Sequence, residues 1–232
     1  MSLPAGVEAL TFDCYGTIVD WDGGIRAALE RVPSLAGCDL ERLLADREHE
    51  EQALLAGPFR FYGTILGESM RRAALRQGRE PDEEEVEGFV DGMGSWPAFA
   101  DSTDALLRLG ARFRLAVLSN VETAVLEESL APLVERGVVF DALVTAEEIQ
   151  SYKPARKHFD VAHERLALPR RSILHVAGSL FHDVRPARAL GWNAVWIDRR
   201  REGAPRGGAD LADLTVFPDL ASLARALLPE SG

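Results

Sequence analysis

The chain has 232 residues, 47% of them hydrophobic and 27% charged, which suits one compact domain or a core domain carrying a smaller inserted one. Its formal net charge of -11 argues against nucleic acid or anionic membrane as a partner, because those need clustered Lys and Arg, and means that an anionic substrate must meet a local positive charge. Only Cys14 and Cys38 are present, with no CxxC and no Cys–His spacing, so neither a disulfide framework nor a zinc site is expected, and with no leader pattern in MSLPAG and no apolar run near the ~20 residues of a membrane helix, the expected location is the cytoplasm.

In chain order, the first short apolar run, Val7 to Phe12, predicts a buried strand. From about Asp20 to Trp96 the pattern is helical and offers no convincing strand. Arg42 to Leu55, Phe61 to Arg76 and Glu83 to Met93 read as separate helices, punctuated by Gly57-Pro58 and by Gly78 to Pro81. Thr103 to Leu109 reads as a helix capped by Asp101 or Ser102, followed by a strand at Leu115 to Leu118. A helix over Glu122 to Leu130 precedes Pro132, and Ala142 to Thr145 is the next strand. Then come a helix at His158 to Leu166, a strand at Ile173 to Ala177 and a helix from Val184 to Leu190 that ends at Gly191. Ala194 to Ile197 and the weaker Leu214 to Phe217 complete the strands. Strands alternating with helices predict βαβ units: an α/β, Rossmann-like parallel sheet with helices on both faces. The expected organisation is a core domain of 1–19 and 97–232 with an inserted helical cap, 20–96, over the C-terminal edge of the sheet.

Four reactive groups follow strands. Asp13 follows the first, in Phe12-Asp13-Cys14-Tyr15-Gly16-Thr17. Ser119-Asn120 follows the second, Lys153-Pro154 a loop after the third, and Asp183 the fourth. In a parallel sheet these positions share the ligand-binding edge. Each has a plain structural reading by itself: Asp13 or Asp183 as a helix cap, Ser119-Asn120 as a turn, Lys153 as a solvated loop residue. Together and in this order they read as a catalytic constellation. A carboxylate becomes a useful nucleophile when positioned and partly desolvated. Lys153 would keep Asp13 ionised and oriented, Thr17 can turn its hydroxyl back toward Asp13, and Ser119 and Asn120 can donate to negative oxygens. Asp183 can hold Lys153 or orient water, and Gly16 permits a sharp turn. Cys14 and His175 read as core residues, while His182, on a loop beside Asp183, stays ambiguous.

With these motifs in place the sequence resembles the haloacid dehalogenase (HAD) superfamily over nearly its whole length. Within it the chain looks most like the type II 2-haloacid dehalogenases, and closer still to relatives resembling azetidine-2-carboxylate hydrolase. Phe12 to Thr17, Ser95-Trp96-Pro97-Ala98-Phe99, Ser151-Tyr152-Lys153-Pro154 and Ser179-Leu180-Phe181-His182-Asp183 carry that similarity. The resemblance implies a hydrolase in which Asp13 attacks an electrophilic carbon of a small 2-substituted carboxylic acid, forms an ester, and is regenerated by water, with a halide or a ring amine leaving. Lys153 and Asp183 complete the implied catalytic set. Tyr15, Thr17, Ser119, Asn120 and a cap arginine bind substrate. That arginine corresponds to Arg47, with Arg60 as its rival.

HAD phosphatases carry an acid two positions after the nucleophile, where this chain has Tyr15, and a magnesium-binding acid where it has Gly178. No metal or other cofactor is therefore expected, and Mg2+ belongs only to a phosphatase alternative. A weakly active HAD-like binding protein is the second alternative. The chain also departs from the dehalogenases: a tyrosine after the family lysine is Phe159, and the polar residues before the last aspartate are Gly178-Ser179-Leu180, with one residue extra. Monomer and homodimer are equally compatible with this reading.

Overall fold

The computed structural model describes residues 4–203, 211 and 213–228. Six strands form one parallel sheet: β1 (Ala9–Phe12), β2 (Arg114–Ser119), β3 (Ala142–Thr145), β4 (Ile173–Ala177), β5 (Asn193–Ile197) and β6 (Thr215–Phe217). Their order is β3-β2-β1-β4-β5-β6. The chain turns back beside its first strand, so β1 lies at the switch point, with Phe12 in register with Val117 on one side and Val176 on the other. Crevices at such points, past the carboxyl ends of the strands, are where doubly wound sheets bind ligands.

The period-two alternation of the strands divides the core between two faces. Leu10, Phe12, Leu115, Val117, Leu174 and Val176 pack with the helices α5 (Ser102–Gly110), α6 (Thr123–Glu135) and α10 (Leu220–Leu227). Ala9, Ala116, Leu118 and Ala177 face the other way, toward α8 (Lys157–Leu166) and α9 (Arg185–Ala189). Each fully buried side chain such as Phe12 or Leu106 contributes about 1.5–3 kcal/mol relative to exposure. The expected α/β sheet with helices on both faces is therefore present. The first strand is shorter than the run Val7 to Phe12, beginning at Ala9.

Between β1 and α5 lie α1 (Trp21–Glu30), α2 (Leu40–Leu55), α3 (Tyr62–Arg76) and α4 (Glu83–Asp91), with no strand among these described residues. The helix α1 lies in the stretch read as helical but was not delimited there as a separate helix. Its Gly23-Gly24 pair lowers helix propensity by about 1 kcal/mol per residue, yet Asp20 caps it through Gly23 N at 3.0 Å. A Cβ on Gly24 would stand 2.5 Å from Trp96 Cγ, so the glycine exists to let that indole lie against the helix backbone. The helix before Pro132 also differs from expectation. It runs through the proline to Glu135, because Pro132 is exposed while Leu130 and Leu133 are buried and hold both flanks down. No helix among the described residues is long and apolar enough to cross a membrane.

Candidate active site

Backbone order brings the site together before any side chain acts. Asp13 leaves β1, Ser119 ends β2, and Lys153 follows the short helix α7 (Ala146–Ile149) after β3. Gly16, at φ +84°, turns the chain after Asp13. The turn lies so close to the loop after β4 that a Cβ on Gly178 would meet Gly16 O at 2.5 Å.

Lys153 Nζ donates to Asp13 Oδ1 at 2.8 Å, to Leu118 O at 2.8 Å and to Asp183 Oδ1 at 2.7 Å, using all three of its protons. Thr17 Oγ1 donates to the other Asp13 oxygen, Oδ2, at 2.8 Å, and itself accepts from Gly178 N at 2.8 Å. On the far side of Asp183, His175 Nε2 lies 3.1 Å from Oδ1, and His175 Nδ1 lies 2.9 Å from Thr11 Oγ1. A buried chain of polar contacts thus runs from Thr11 through His175, Asp183 and Lys153 to Asp13. His175 is the hydrogen-bonded core histidine expected of it, and Cys14 is fully buried.

The two carboxylates are not equivalent. Burial raises the Asp13 carboxyl above its ordinary range; the attraction of Lys153 opposes that shift and the nearby Asp183 charge adds to it. For Asp183 burial also works upward, but Lys153 and the hydrogen bond from His175 outweigh it and hold the group at about 2. Lys153 is pulled down by burial and pushed further up by its two carboxylates, so it stays an ammonium. The expectation that Lys153 favours the charged form of Asp13 describes one contribution; burial exceeds it. For a nucleophile this is useful, since a more basic carboxylate attacks more readily while it remains ionised.

The site opens into a cavity of about 530 Å³. Asp13, Ser119, Lys153 and Asp183 line it from the sheet edge. Trp21 of α1, Arg47 and Glu51 of α2, and Tyr62 of α3 line it from the helical insertion. Tyr15 also lines it, its ring edge-on to Trp21 at 5.7 Å and its hydroxyl 2.6 Å from Ser129 Oγ. Three of these lining residues keep a buried polar atom without a partner: Ser119 Oγ, Arg47 Nε and Asp183 Oδ2. Buried polar atoms in folded proteins are nearly always paired, so three orphans around one cavity mark places that a ligand or water completes.

The structure therefore places Asp13, Tyr15, Thr17, Ser119, Lys153 and Asp183 at one locus, and Arg47 across the cavity from them. Arg60 is not among the lining residues; it pairs with Glu68 at 2.7 Å. Asn120 lines the cavity too. Its Nδ2 donates to Lys153 O at 3.2 Å and its Oδ1 accepts from Lys153 N at 2.7 Å, so the amide grips the lysine loop while one Nδ2 proton is left for another acceptor. Arg47 also carries more than was expected of it: Nη1 donates to Glu51 Oε2 at 2.6 Å, Tyr62 donates to the other Glu51 oxygen, and the guanidinium lies 5.6 Å from the Trp21 ring. Pairing of Arg47 with Glu50 or Glu51 is the plain helical-spacing reading of that arginine, and Glu51 is the partner found; Tyr62 and Trp21 were not singled out in the sequence.

A divalent cation fits poorly here. Among the described residues no three His, Cys, Asp or Glu side chains cluster in a way that could hold one. The two carboxylates are already bridged by the Lys153 ammonium, Tyr15 offers a phenol turned to Ser129, and an acid at position 178 would collide with Gly16. A hard cation needs several oxygen ligands that this donor set lacks.

A family of haloacid dehalogenase-like hydrolases matches residues 7–191 of the chain. The chain is 26% identical over 197 residues to an (S)-2-haloacid dehalogenase of Pseudomonas putida, covering 84% of this chain and 86% of the relative. It is 27% identical over 199 residues to haloacetate dehalogenase H-2 of Moraxella sp. (strain B), with 83% and 86% covered. The structure of L-2-haloacid dehalogenase from Xanthobacter autotrophicus with chloropropionic acid covalently bound is similar in fold, with a TM-score of 0.80 at 19% identity, covering 97% of this chain and 100% of that one.

Proposed function

The chain belongs to the haloacid dehalogenase-like hydrolases, and on that premise we propose that Asp13 is the nucleophile of a two-step displacement at carbon. The observation that carries this reading is the Asp13 carboxylate itself. It is nearly buried, clamped at Oδ1 by Lys153 and at Oδ2 by Thr17, and faces a cavity with a guanidinium opposite. In the first step Asp13 attacks the substituted carbon of a small 2-substituted carboxylic acid, an ester forms, and the leaving group departs with the bonding pair. In the second step water cleaves the ester and the carboxylate returns.

The helical segment 20–96 acts in this reading as the cap that closes over the substrate. Arg47 takes the substrate carboxylate, which would satisfy its orphan Nε. Ser119 Oγ donates to the same anion or to the developing ester, and Asp183 Oδ2 holds the hydrolytic water. Tyr15 and Trp21 shape an aromatic wall that excludes bulk water. The similarity of the relatives named (S)-2-haloacid dehalogenase and haloacetate dehalogenase favours halide as the leaving group. One observation favours a ring amine instead: Glu51 sets a carboxylate in the cavity wall, beside Arg47, where a substrate ammonium could pair with it.

The test is product analysis with three substrates: (S)-2-chloropropionate, azetidine-2-carboxylate and 4-nitrophenyl phosphate. Chloride release with a 2-hydroxy acid supports the haloacid form, and ring opening supports the amine form. Hydrolysis of the phosphate ester alone, dependent on magnesium, contradicts the proposal.

A further inference from the structure

Cleavage of an ester on Asp13 needs a group that takes a proton from the attacking water, and the following rests on the function proposed above. Among the carboxylates that line the cavity, Asp22 is paired with Arg200, Glu41 with Arg26, and Glu48 lies on α2 in the helical insertion. Asp183 is a weak base because, against burial, Lys153 and His175 hold it at about 2. Glu51 has committed one oxygen to Arg47 and the other to Tyr62. The Tyr15 hydroxyl is engaged with Ser129.

His182 is the remaining candidate base on the sheet-edge side of the cavity, and the local backbone explains how it reaches there. Residues Leu180–Val184 form a single π turn, in which Val184 N donates to Ser179 O at 3.1 Å and Arg185 N to Leu180 O. Isolated π turns are rare and recur at functional sites. The result puts Ser179, His182 and Asp183 on the cavity wall together. The imidazole is held on two sides. Ser179 Oγ accepts from His182 N at 3.0 Å and lies 3.2 Å from Nδ1, while the Phe181 ring packs edge-on at 4.9 Å. In the tautomer that donates from Nδ1 to Ser179, Nε2 keeps its lone pair.

We propose that His182 is the general base of the second step, removing a proton from the water that attacks the Asp13 ester. The water oxygen adds to the carbonyl carbon of the ester as its proton passes to Nε2, and the carbonyl pair moves onto oxygen. Collapse of that adduct breaks the acyl carbon–oxygen bond and expels the substrate-derived alkoxide, which recovers the proton from the imidazolium. The products are the 2-hydroxy acid and the Asp13 carboxylic acid, which loses its proton to solvent. Burial lowers the His182 pKa; Asp183, Asp13 and Glu51 pull it upward and Lys153 downward, so the ring enters the step neutral.

The experiment uses the full chain, (S)-2-chloropropionate and two variants, His182→Asn and His182→Gln, each checked for folding by thermal melting. Chloride and intact protein mass are followed from mixing. The expected result is one equivalent of chloride per protein, accumulation of an adduct on Asp13, and steady-state turnover reduced about 10²–10⁴-fold. Wild-type turnover in a folded variant overturns the proposal. So does loss of the first chloride equivalent along with turnover, which would make His182 a substrate-binding residue. A different result separates the two readings: wild type that turns over with no oxygen from water entering Asp13 overturns the nucleophile assignment itself. Wild type that releases no chloride overturns the haloacid form of the function, and this inference with it.

Discussion

Lys153 Nζ lies 2.8 Å from Asp13 Oδ1, although 140 residues separate the two in the chain. The same nitrogen lies 2.7 Å from Asp183 Oδ1, so one ammonium is shared by two buried carboxylates. With all three groups charged, the cluster carries an excess negative charge away from water, which is costly. Asp183 keeps its charge firmly, and Asp13 is the member whose pKa rises.

That asymmetry predicts the acid limb of catalysis. A protonated Asp13 cannot attack, so kcat/KM falls as pH is lowered through its raised pKa. The midpoint should lie above 3.8, the ordinary value for an aspartate. The stability sign is the reverse of the usual carboxylate case. A folded-state pKa above the unfolded one contributes stability below the unfolded value, and that contribution is lost as pH rises through the folded value. Asp13→Asn should therefore melt no lower than wild type at pH 7 while being inactive. A variant that melts well below wild type would show that the Asp13 charge serves the fold.

Arg47 should respond to both charge and shape. Arg47→Lys keeps a cation but loses the guanidinium fork, and should raise KM for a 2-substituted acid more than it lowers kcat. Arg47→Ala also strands Glu51, and should cost on the order of 2–5 kcal/mol in kcat/KM. Steady-state kinetics of the two variants decide it. Unchanged efficiency in both removes Arg47 from substrate binding.

Divalent metal should be dispensable. Tyr15 and Gly178 stand where an acid would be needed, and Gly178 has no room for one. Activity measured after exhaustive dialysis against chelator should match the untreated protein. Loss that magnesium restores would place a cation in the site after all.

The insertion is tied to the sheet edge by Glu122 and Tyr152. Glu122 Oε1 accepts from Gly63 N at 2.9 Å, at the start of α3, a helix with no side-chain cap of its own. Tyr152 donates to Arg60 O at 2.6 Å, one turn earlier. Tyr62, next to Gly63, is the residue that holds Glu51 and hence Arg47. Glu122→Ala should cost about 0.5–2 kcal/mol of stability, as for a lost N-cap, and should raise KM. Calorimetry and kinetics together test this; a stability loss with KM unchanged would confine Glu122 to the fold.

The sheet and the strand-end residues were legible because both follow from local pattern. Short apolar runs gave the strands, and topology alone brought Asp13, Ser119, Lys153 and Asp183 to one edge. What stayed hidden depends on contacts distant in sequence. The pair Gly23-Gly24 argues against a helix until Trp96 is seen lying on it. Pro132 reads as a stop until Leu133 is seen buried behind it. The grip of the Asn120 amide on the Lys153 backbone was hidden because nothing in the sequence brings the two loops together. His182 stayed ambiguous because a π turn differs from an α turn by one hydrogen-bond step that no residue type announces.

The nucleophile assignment is tested most directly by a single turnover in heavy-oxygen water. Protein is held in excess over (S)-2-chloropropionate, and the peptide containing Asp13 is weighed by mass spectrometry. Attack by Asp13 predicts that the label enters the Asp13 carboxylate and that the 2-hydroxy acid of this first turnover carries none. Label in the product hydroxyl, with Asp13 unlabelled, would mean that water attacks the substrate directly and would contradict the account.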